Sequence, residues 1–310
     1  MTSQHTLHVV FGATGESGSA VVRELLRQGK RVRAVNRSGK ASLPAEVEVL
    51  RADATDLAST RTATEGASVV YNCVGVPLPQ WQTQLRPVLN NILEGTAAAG
   101  ARLVFVDNVY MYGKVDGPLT EDLAPHPVGH LGELRAEMAE ALLQAHQRGK
   151  VRVAIGRAAD FYGPGVRAAI ANEALVKRAM EGKSVNWPGR LDVPHSLMFV
   201  DDLARGLITL GEREEALGQI WHLPHAPTLT ARQFLRLLFE EAGHDFLRAR
   251  SLPGWAIRAA GVFDPTAREF VELHYLFDAP FIIDWSKYHR TFGGEATPYR
   301  EGIRQTLASQ

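Results

Sequence analysis

The first residues able to do chemistry are Gly12-Ala13-Thr14-Gly15-Glu16-Ser17-Gly18, a G-x-x-G-x-x-G run. It follows the short apolar stretch Leu7–Phe11 and precedes Val21, Val22, Leu25 and Leu26, whose i, i+4 pairing marks one helical face. At a strand-to-helix turn of this kind, backbone N–H groups face outward and the helix dipole favours an anion. Gly12 permits the tight turn, Gly15 lets backbone approach a phosphate, and Gly18 lets the helix pack on the strand. Thr14, Glu16 and Ser17 complete the cradle. A turn of purely structural purpose is the alternative, and the strand-before, helix-after context argues against it.

The next strand ends Val35-Asn36-Arg37. A dinucleotide site of the NAD type places a carboxylate there for the adenosine 2′-hydroxyl, whereas an arginine suits a 2′-phosphate. Asn36 and Arg37, with no acid at that strand end, favour NADP(H), with NAD(H) as the second choice. The competing reading of Arg37 is a solvated surface side chain. Asp53, after the third strand, is placed to meet the adenine amino group; capping the following helix is its alternative role, which Asp56 fills better.

The elements that must hold these residues alternate. Val32–Val35, Val47–Leu50, Val69–Val74, Leu103–Val106 and Val151–Ile155 read as strands, and the unbroken apolar character of Val69–Val74 fits burial on both faces. Leu131, Leu134, Met138, Leu142 and Ala145 mark an amphipathic helix. The fold class is therefore α/β, a doubly wound parallel sheet of Rossmann type. Past residue 160 the rhythm loosens: Pro164, Pro188 and Pro194 punctuate loops around a helix near Ala168–Met180, and Thr230–Gln233 has capping-box form. Aromatics gather in the last third, from Trp255 to Trp285. The expected division is a nucleotide-binding domain over 1–160, also taking in about 195–225, and a smaller mixed substrate lobe over 161–194 and 226–310.

Bulk properties narrow the partners. An apolar fraction of 45 % supports a sizeable core, and 34 basic residues balance 34 acidic ones, which gives no long-range attraction to nucleic acid or anionic lipid. One cysteine, Cys73, excludes an internal disulfide and fits a reducing compartment. Met1–His8 is short and polar, and the uncharged stretch Ala67–Leu85 is broken by Asn72, prolines and glutamines. A cytoplasmic protein with a small-molecule substrate and no membrane or nucleic-acid partner is expected. His126, His130, His222 and His225 have no metal-ligand spacing, so no metal is expected.

The chain resembles the extended short-chain dehydrogenases/reductases of the NAD-dependent epimerase/dehydratase family over nearly its full length. The resemblance is carried by Gly12–Gly18, Asp53-Ala54, the Asn72–Gly75 loop and Val109-Tyr110-Met111-Tyr112-Gly113. It continues through Phe161-Tyr162-Gly163-Pro164-Gly165, Phe199-Val200-Asp201-Asp202, Asp284-Trp285-Ser286-Lys287 and Thr297-Pro298. It implies cofactor contacts at Ala54, Val74 and Gly75, and a homodimer.

The catalytic residues of the family do not carry over. Its Ser or Thr falls on Asn108, and its Tyr-x-x-x-Lys on Leu131-Gly132-Glu133-Leu134-Arg135, which lacks both functional side chains. Arg135 keeps a positive charge for a ribose hydroxyl but cannot act as an acid. A literal Tyr-x-x-x-Lys at Tyr110–Lys114 sits at a strand end with Gly113 inside, where i, i+4 side chains do not meet. Asn108, Tyr110 and Arg135 remain the candidate catalytic residues, as in the atypical members of the superfamily; for Tyr110, packing or substrate contact is the stronger alternative, and for Tyr112, core packing.

Family positions that serve a substrate diphosphate also differ. Asp160 stands where an Asn is frequent and His195 where an Arg is frequent, and both changes remove phosphate affinity. The expected substrate is small or apolar, with Trp81, Val76 and Leu78 lining the pocket beside Asp160 and His195; helix-start packing is the alternative for Trp81, and a structural hydrogen bond for His195. Asp201-Asp202 reads as an N-cap. Three functions remain: an NADP(H)-dependent oxidoreductase or epimerase/dehydratase-like enzyme on a small carbonyl or hydroxyl compound, a non-catalytic dinucleotide sensor of NmrA-like type, or a cofactor-assisted isomerase.

Overall fold

The computed structural model describes residues 6–45, 47–246 and 249–310. Along the chain run β1 (Leu7–Phe11), α1 (Glu16–Arg27), β2 (Arg31–Asn36), β3 (Glu48–Arg51), α2 (Leu57–Thr64), β4 (Val69–Asn72), α3 (Trp81–Ala98), β5 (Arg102–Asp107), α4 (His130–Gln147) and β6 (Arg152–Arg157). There follow β7 (Asp160–Tyr162), α5 (Glu173–Met180), β8 (Val185–Pro188), β9 (Pro194–His195), β10 (Leu197–Phe199), α6 (Val200–Glu212), β11 (Gln219–His222), β12 (Leu229–Thr230), α7 (Ala231–Glu241) and β13 (Ala249–Leu252). Five helices close the chain: α8 (Gly254–Ala260), α9 (Pro265–Phe270), α10 (Tyr275–Asp278), α11 (Ser286–Phe292) and α12 (Tyr299–Ala308).

The molecule divides into two compact units. The first comprises the chain up to Asn108, with Glu133–Arg157 and Leu203–Trp221; the second comprises Val109–Gly132, Ala158–Asp202 and His222–Gln310. These bounds differ from the expected ones. Residues 109–132 belong with the second unit because their partners are there: Leu119 bridges Ile283, the Leu131 N–H donates to Glu272, and Tyr112 bonds His222. Residues 195–202 and 222–225 move to it as well.

The first unit is built on a seven-stranded sheet of order β3-β2-β1-β4-β5-β6-β11. Pairing from β3 through β6 is parallel throughout. The order reverses between β1 and β4, the switch point at which doubly wound sheets leave a crevice. β1 and β4 are buried at every position, as their unbroken apolar runs require. Helix α4 contributes Leu134, Met138, Leu142 and Ala145 of the expected stripe to the core, together with Ala139. Each fully buried leucine there is worth roughly 1.5–3 kcal/mol. Asp56 caps α2 through its side chain, accepting from the Ser59 N–H.

The second unit is assembled from short two-stranded ladders and helices. β7 pairs with β10, β9 with β12 and β8 with β13. Pro188 and Pro194, expected in loops, sit at the ends of these ladders, where a missing N–H costs no central hydrogen bond. The helix expected near Ala168 starts later, at Glu173, because the Asn172 side chain caps it through the Leu175 N–H at 3.0 Å. Thr230 and Gln233 form the complete capping box of α7. Tyr162, Phe199, Phe234 and Tyr299 pack ring on ring at centroid distances of 5.1–5.9 Å. Trp255 and Phe263, by contrast, are exposed. Among the described residues no helix is long and apolar enough to cross a membrane, and no group of three or more side chains has the geometry to hold a metal.

Candidate functional site

In the first unit the glycine turn leaves β1 with Gly12 in the left-handed region at φ +73°. A Cβ at Gly12 would lie 2.5 Å from the Cys73 carbonyl oxygen, and one at Gly18 would lie 2.1 Å from the Gly12 carbonyl oxygen. Both contacts are with backbone that cannot move away, so the turn tolerates only glycine at these two places. Helix α1 then begins at Glu16 with no side-chain cap over its first turn, leaving its positive end for an anion. This geometry fits the pyrophosphate of a dinucleotide. Cys73 lies beneath the turn, and burial pushes its thiol up to about 12, which makes it packing rather than a nucleophile.

The loop after β2 corrects one expected role. Asn36 does not face outward: it is buried and braces the loop, accepting from the Gly39 N–H at 2.7 Å and the Ser38 hydroxyl at 2.8 Å while donating to the Lys40 carbonyl at 3.1 Å. Arg37 is exposed, as are Ser38 and Lys40. Lys40 is a donor that sequence reasoning missed, although the run Asn36-Arg37-Ser38-Gly39-Lys40 displays it, whereas the Ser38 hydroxyl proton is already spent inside the loop. Asp53 is exposed and accepts from the Thr55 N–H and hydroxyl, which hold its carboxyl below the usual range, with the Arg37 charge adding to the effect. The Val74 N–H is held by Asn72 at 3.2 Å, Gly75 is exposed, and Ala54 is buried beside Asp53.

Arg135 has a different setting from the one expected. Its Nε donates to Asp107 Oδ1 at 2.8 Å and its terminal nitrogen to the Val106 carbonyl at 2.9 Å. Arg157 Nε meets the other oxygen of the same carboxylate at 3.1 Å. The Arg135 guanidinium also lies 4.9 Å from the Phe105 ring and 5.5 Å from the Trp81 ring. Trp81 opens α3 and donates from its indole to the Val76 carbonyl at 2.9 Å, so it packs at a helix start. Asp107 and Arg157 were missed as partners; each visibly ends a strand whose middle is apolar.

In the second unit Tyr110–Tyr112 form a single 3₁₀ turn closed by Gly113 at φ +66°, so Tyr110 and Lys114 do not share a helix face. Tyr110 is half-buried, whereas Tyr112 is fully buried and bonds His222 Nε2 at 2.8 Å. Gly132 lets α4 start against this turn, since a Cβ there would lie 2.7 Å from the Tyr110 carbonyl oxygen. Leu131 is fully buried. Asp201 and Asp202 lie within the first turn of α6, and Asp202 accepts the Thr297 N–H and hydroxyl, both at 2.9 Å.

Asp160 and His195, flagged separately from sequence, are bonded to each other: His195 Nε2 lies 2.8 Å from Asp160 Oδ2. The imidazole is stacked between Phe277 and Phe281 at centroid distances of 4.9 and 4.6 Å, with Trp187 edge-on. Its strand is gripped on both sides. Leu229 pairs with His195, Ser196 N–H donates to the Phe281 carbonyl, and the Ser196 hydroxyl bonds Thr228 and Ile283.

Residues 8–223, more than half the chain, match the model of the NAD-dependent epimerase/dehydratase family. The chain belongs to that family. Among solved structures, a UDP-glucose 4-epimerase from Thermotoga maritima with UDP-glucose superposes at a TM-score of 0.78 with 20 % identity over 98 % of each chain. A UDP-glucuronic acid 4-epimerase from Bacillus cereus, with UDP-glucuronic acid and NAD, gives 0.79 with 17 % identity over 98 % of each chain. A dTDP-glucose 4,6-dehydratase from Bacillus anthracis with NAD gives 0.79 with 15 % identity, covering 98 % of this chain and 96 % of that one. At these identities the likeness is one of fold. An uncharacterized protein, y4nG, of Sinorhizobium fredii is 25 % identical over 209 residues, 64 % of this chain; the chain spans about half the length of that curated relative (52 %).

Proposed function

We propose that this family member binds NADP(H) and acts as an oxidoreductase, or an epimerase/dehydratase-like enzyme, on a small carbonyl or hydroxyl compound that carries no nucleotide. The observation that carries the cofactor preference is the loop after β2. Asn36 and the Ser38 hydroxyl are consumed in shaping it, and Arg37 and Lys40 are left exposed with no acid at the strand end. An exposed guanidinium and ammonium match a 2′-phosphate, where a carboxylate would match a ribose hydroxyl. NAD, held by several of the structural relatives, is the alternative cofactor. When bound, such a dinucleotide supplies hydride chemistry. The chain's own part is to cradle the pyrophosphate at Gly12–Gly18 and to hold the adenosine end between Arg37 and Asp53.

Arg37→Ala tests the assignment directly. NADPH affinity is expected to fall by about 1–3 kcal/mol, the worth of a hydrogen bond to a charged group, while NADH affinity stays put. Equal losses for both dinucleotides, read by calorimetry, would sink the NADP preference. Among the proton-handling candidates Arg135 is committed to Asp107 and Leu131 is apolar, which leaves Asn108 and Tyr110. Unchanged turnover in Tyr110→Phe removes Tyr110 from that role. The same commitment of Arg135 favours a second reading, a dinucleotide-binding sensor without turnover. NADPH that binds but whose absorbance never decays with any carbonyl compound supports the sensor.

A further inference from the structure

We propose that Asp160, fixed by the buried imidazole of His195, is a specificity-determining anchor that selects a hydroxyl- or ammonium-bearing substrate over a phosphorylated one. This inference rests on the small-substrate reading above and names the chemistry of that substrate.

His195 is almost wholly buried, at 1 % exposure, and its Nδ1 has no hydrogen-bond partner among the described residues. His222, by comparison, has both nitrogens satisfied, by Tyr112 and the Asp284 carbonyl. An orphaned buried nitrogen is a cost, and what sets His195 apart is that its other nitrogen is spent on a carboxylate that reaches solvent. The polar partner of the His195 ring is Asp160. Stacked between Phe277 and Phe281, the ring cannot swing away, and it holds Oδ2 at a fixed place.

The other oxygen of that carboxylate is what remains. Asp160 Oδ1 accepts no hydrogen bond from the described residues, and the side chain keeps 19 % of its surface exposed. A positioned carboxylate oxygen open to solvent accepts a hydroxyl or an ammonium and repels a phosphate. Asp160 is then a binding group and His195 a positioning residue, which turns two apparent losses of phosphate affinity into one device with a preference of its own.

The test uses the full chain and a panel of small alcohols, polyols, amino alcohols and amines, with glucose 1-phosphate and UDP-glucose as the phosphorylated arm. Binding is measured by ligand-observed NMR on wild type, D160N, H195Q and H195L. Wild type is expected to bind donor-bearing compounds and not the phosphorylated pair. D160N should weaken amines roughly 10- to 100-fold and alcohols less, since an amide oxygen still accepts but carries no charge. H195L should also weaken binding, whereas H195Q, which keeps an N–H in reach of Asp160, should restore most of it; a merely structural histidine would show no such rescue. Tighter binding of UDP-glucose than of any donor-bearing compound, no donor-bearing ligand at all, or equal affinities in D160N would overturn the proposal. NADPH affinity is read in parallel. An amine that binds in an Asp160-dependent way to a chain with no dinucleotide affinity would refute the functional reading and leave this anchor standing.

Discussion

Asp107 closes β5 in the first unit, and Asp160 opens β7 in the second. Each carboxylate is gripped by a neighbour that is itself packed against aromatic rings, yet they differ in what is left over. Both oxygens of Asp107 are consumed, one by Arg135 and one by Arg157, and its side chain is fully buried. Asp160 spends one oxygen on His195 and keeps the other open. A saturated buried carboxylate is a strut whose removal leaves charge stranded. A half-satisfied one on a rigid support has capacity for a ligand. In the first unit Arg135, a catalytic candidate from sequence, is thus part of a buried strut, while in the second Asp160 and His195 form a polar pair.

Breaking the strut should have the largest effect. Asp107→Asn leaves two buried guanidiniums without their carboxylate and is expected to cost about 3–5 kcal/mol, read as a shift in the urea midpoint. A loss below about 1 kcal/mol would mean that Asp107 is no strut, and the contrast with Asp160 would collapse.

An orphaned imidazole nitrogen does not by itself make a ligand site, and His8 sharpens the comparison on that point. Its Nδ1 lies 3.2 Å from the Tyr71 hydroxyl and its Nε2 has no partner among the described residues, but its partner is neutral and both residues are fully buried. Burial pushes the His8 pKa down from 6.5 to about 4. Between those values the unfolded chain takes up a proton that the folded one refuses. Stability is therefore complete above about pH 6.5 and falls as pH drops toward 4, by up to about 3 kcal/mol. His8→Phe should remove close to one proton from that slope. His225, also lowered by burial, leaves a residual slope of the same sign. Unfolding curves for wild type and variant that stay parallel from pH 7 to 4 would show that His8 takes no part.

Arg135→Lys probes the strut more gently. A lysine keeps the charge opposite Asp107 but loses the planar fork that also reaches the Val106 carbonyl, and the stacking on Phe105 and Trp81. A loss of roughly 1–2 kcal/mol is expected, with a changed Trp81 emission as the ring loses its cation. An unaltered midpoint would reduce the arginine to a simple point charge.

These pairs also mark where the sequence stopped being readable. The glycine turn, the parallel strands and the buried stripe of α4 were legible because each is a local pattern of period and spacing. The partners of Asp107 were not: they lie 28 and 50 residues away, and no periodicity links a strand-end acid to an arginine on another element. The partner of Asp202 was hidden for the same reason. Its position at a helix start suggested a cap and gave no sign of Thr297, 95 residues on, which donates to its carboxylate. Aromatic content pointed to a second lobe without distinguishing Phe277, which clamps His195, from Phe263, which lies in solvent. Asp160 and His195 were each noticed through a departure from family pattern, and only the fold could reveal that the two departures meet.

The smallest stability effect is expected where the comparison matters most. In Asp160→Asn the amide oxygen can still accept from His195, so what is lost is the charge on one hydrogen bond that is already partly solvated. Charge-assisted bonds are about twice as strong as neutral ones, and a net bond is worth about 1 kcal/mol, so the substitution should cost no more than about 1 kcal/mol. Set beside several kcal/mol for Asp107→Asn, measured in the same urea titration, that difference separates a carboxylate kept for the fold from one kept for a ligand. A loss in Asp160→Asn as large as that in Asp107→Asn would make both carboxylates struts, because a side chain the fold cannot spare has no free oxygen's worth of energy left to give a substrate.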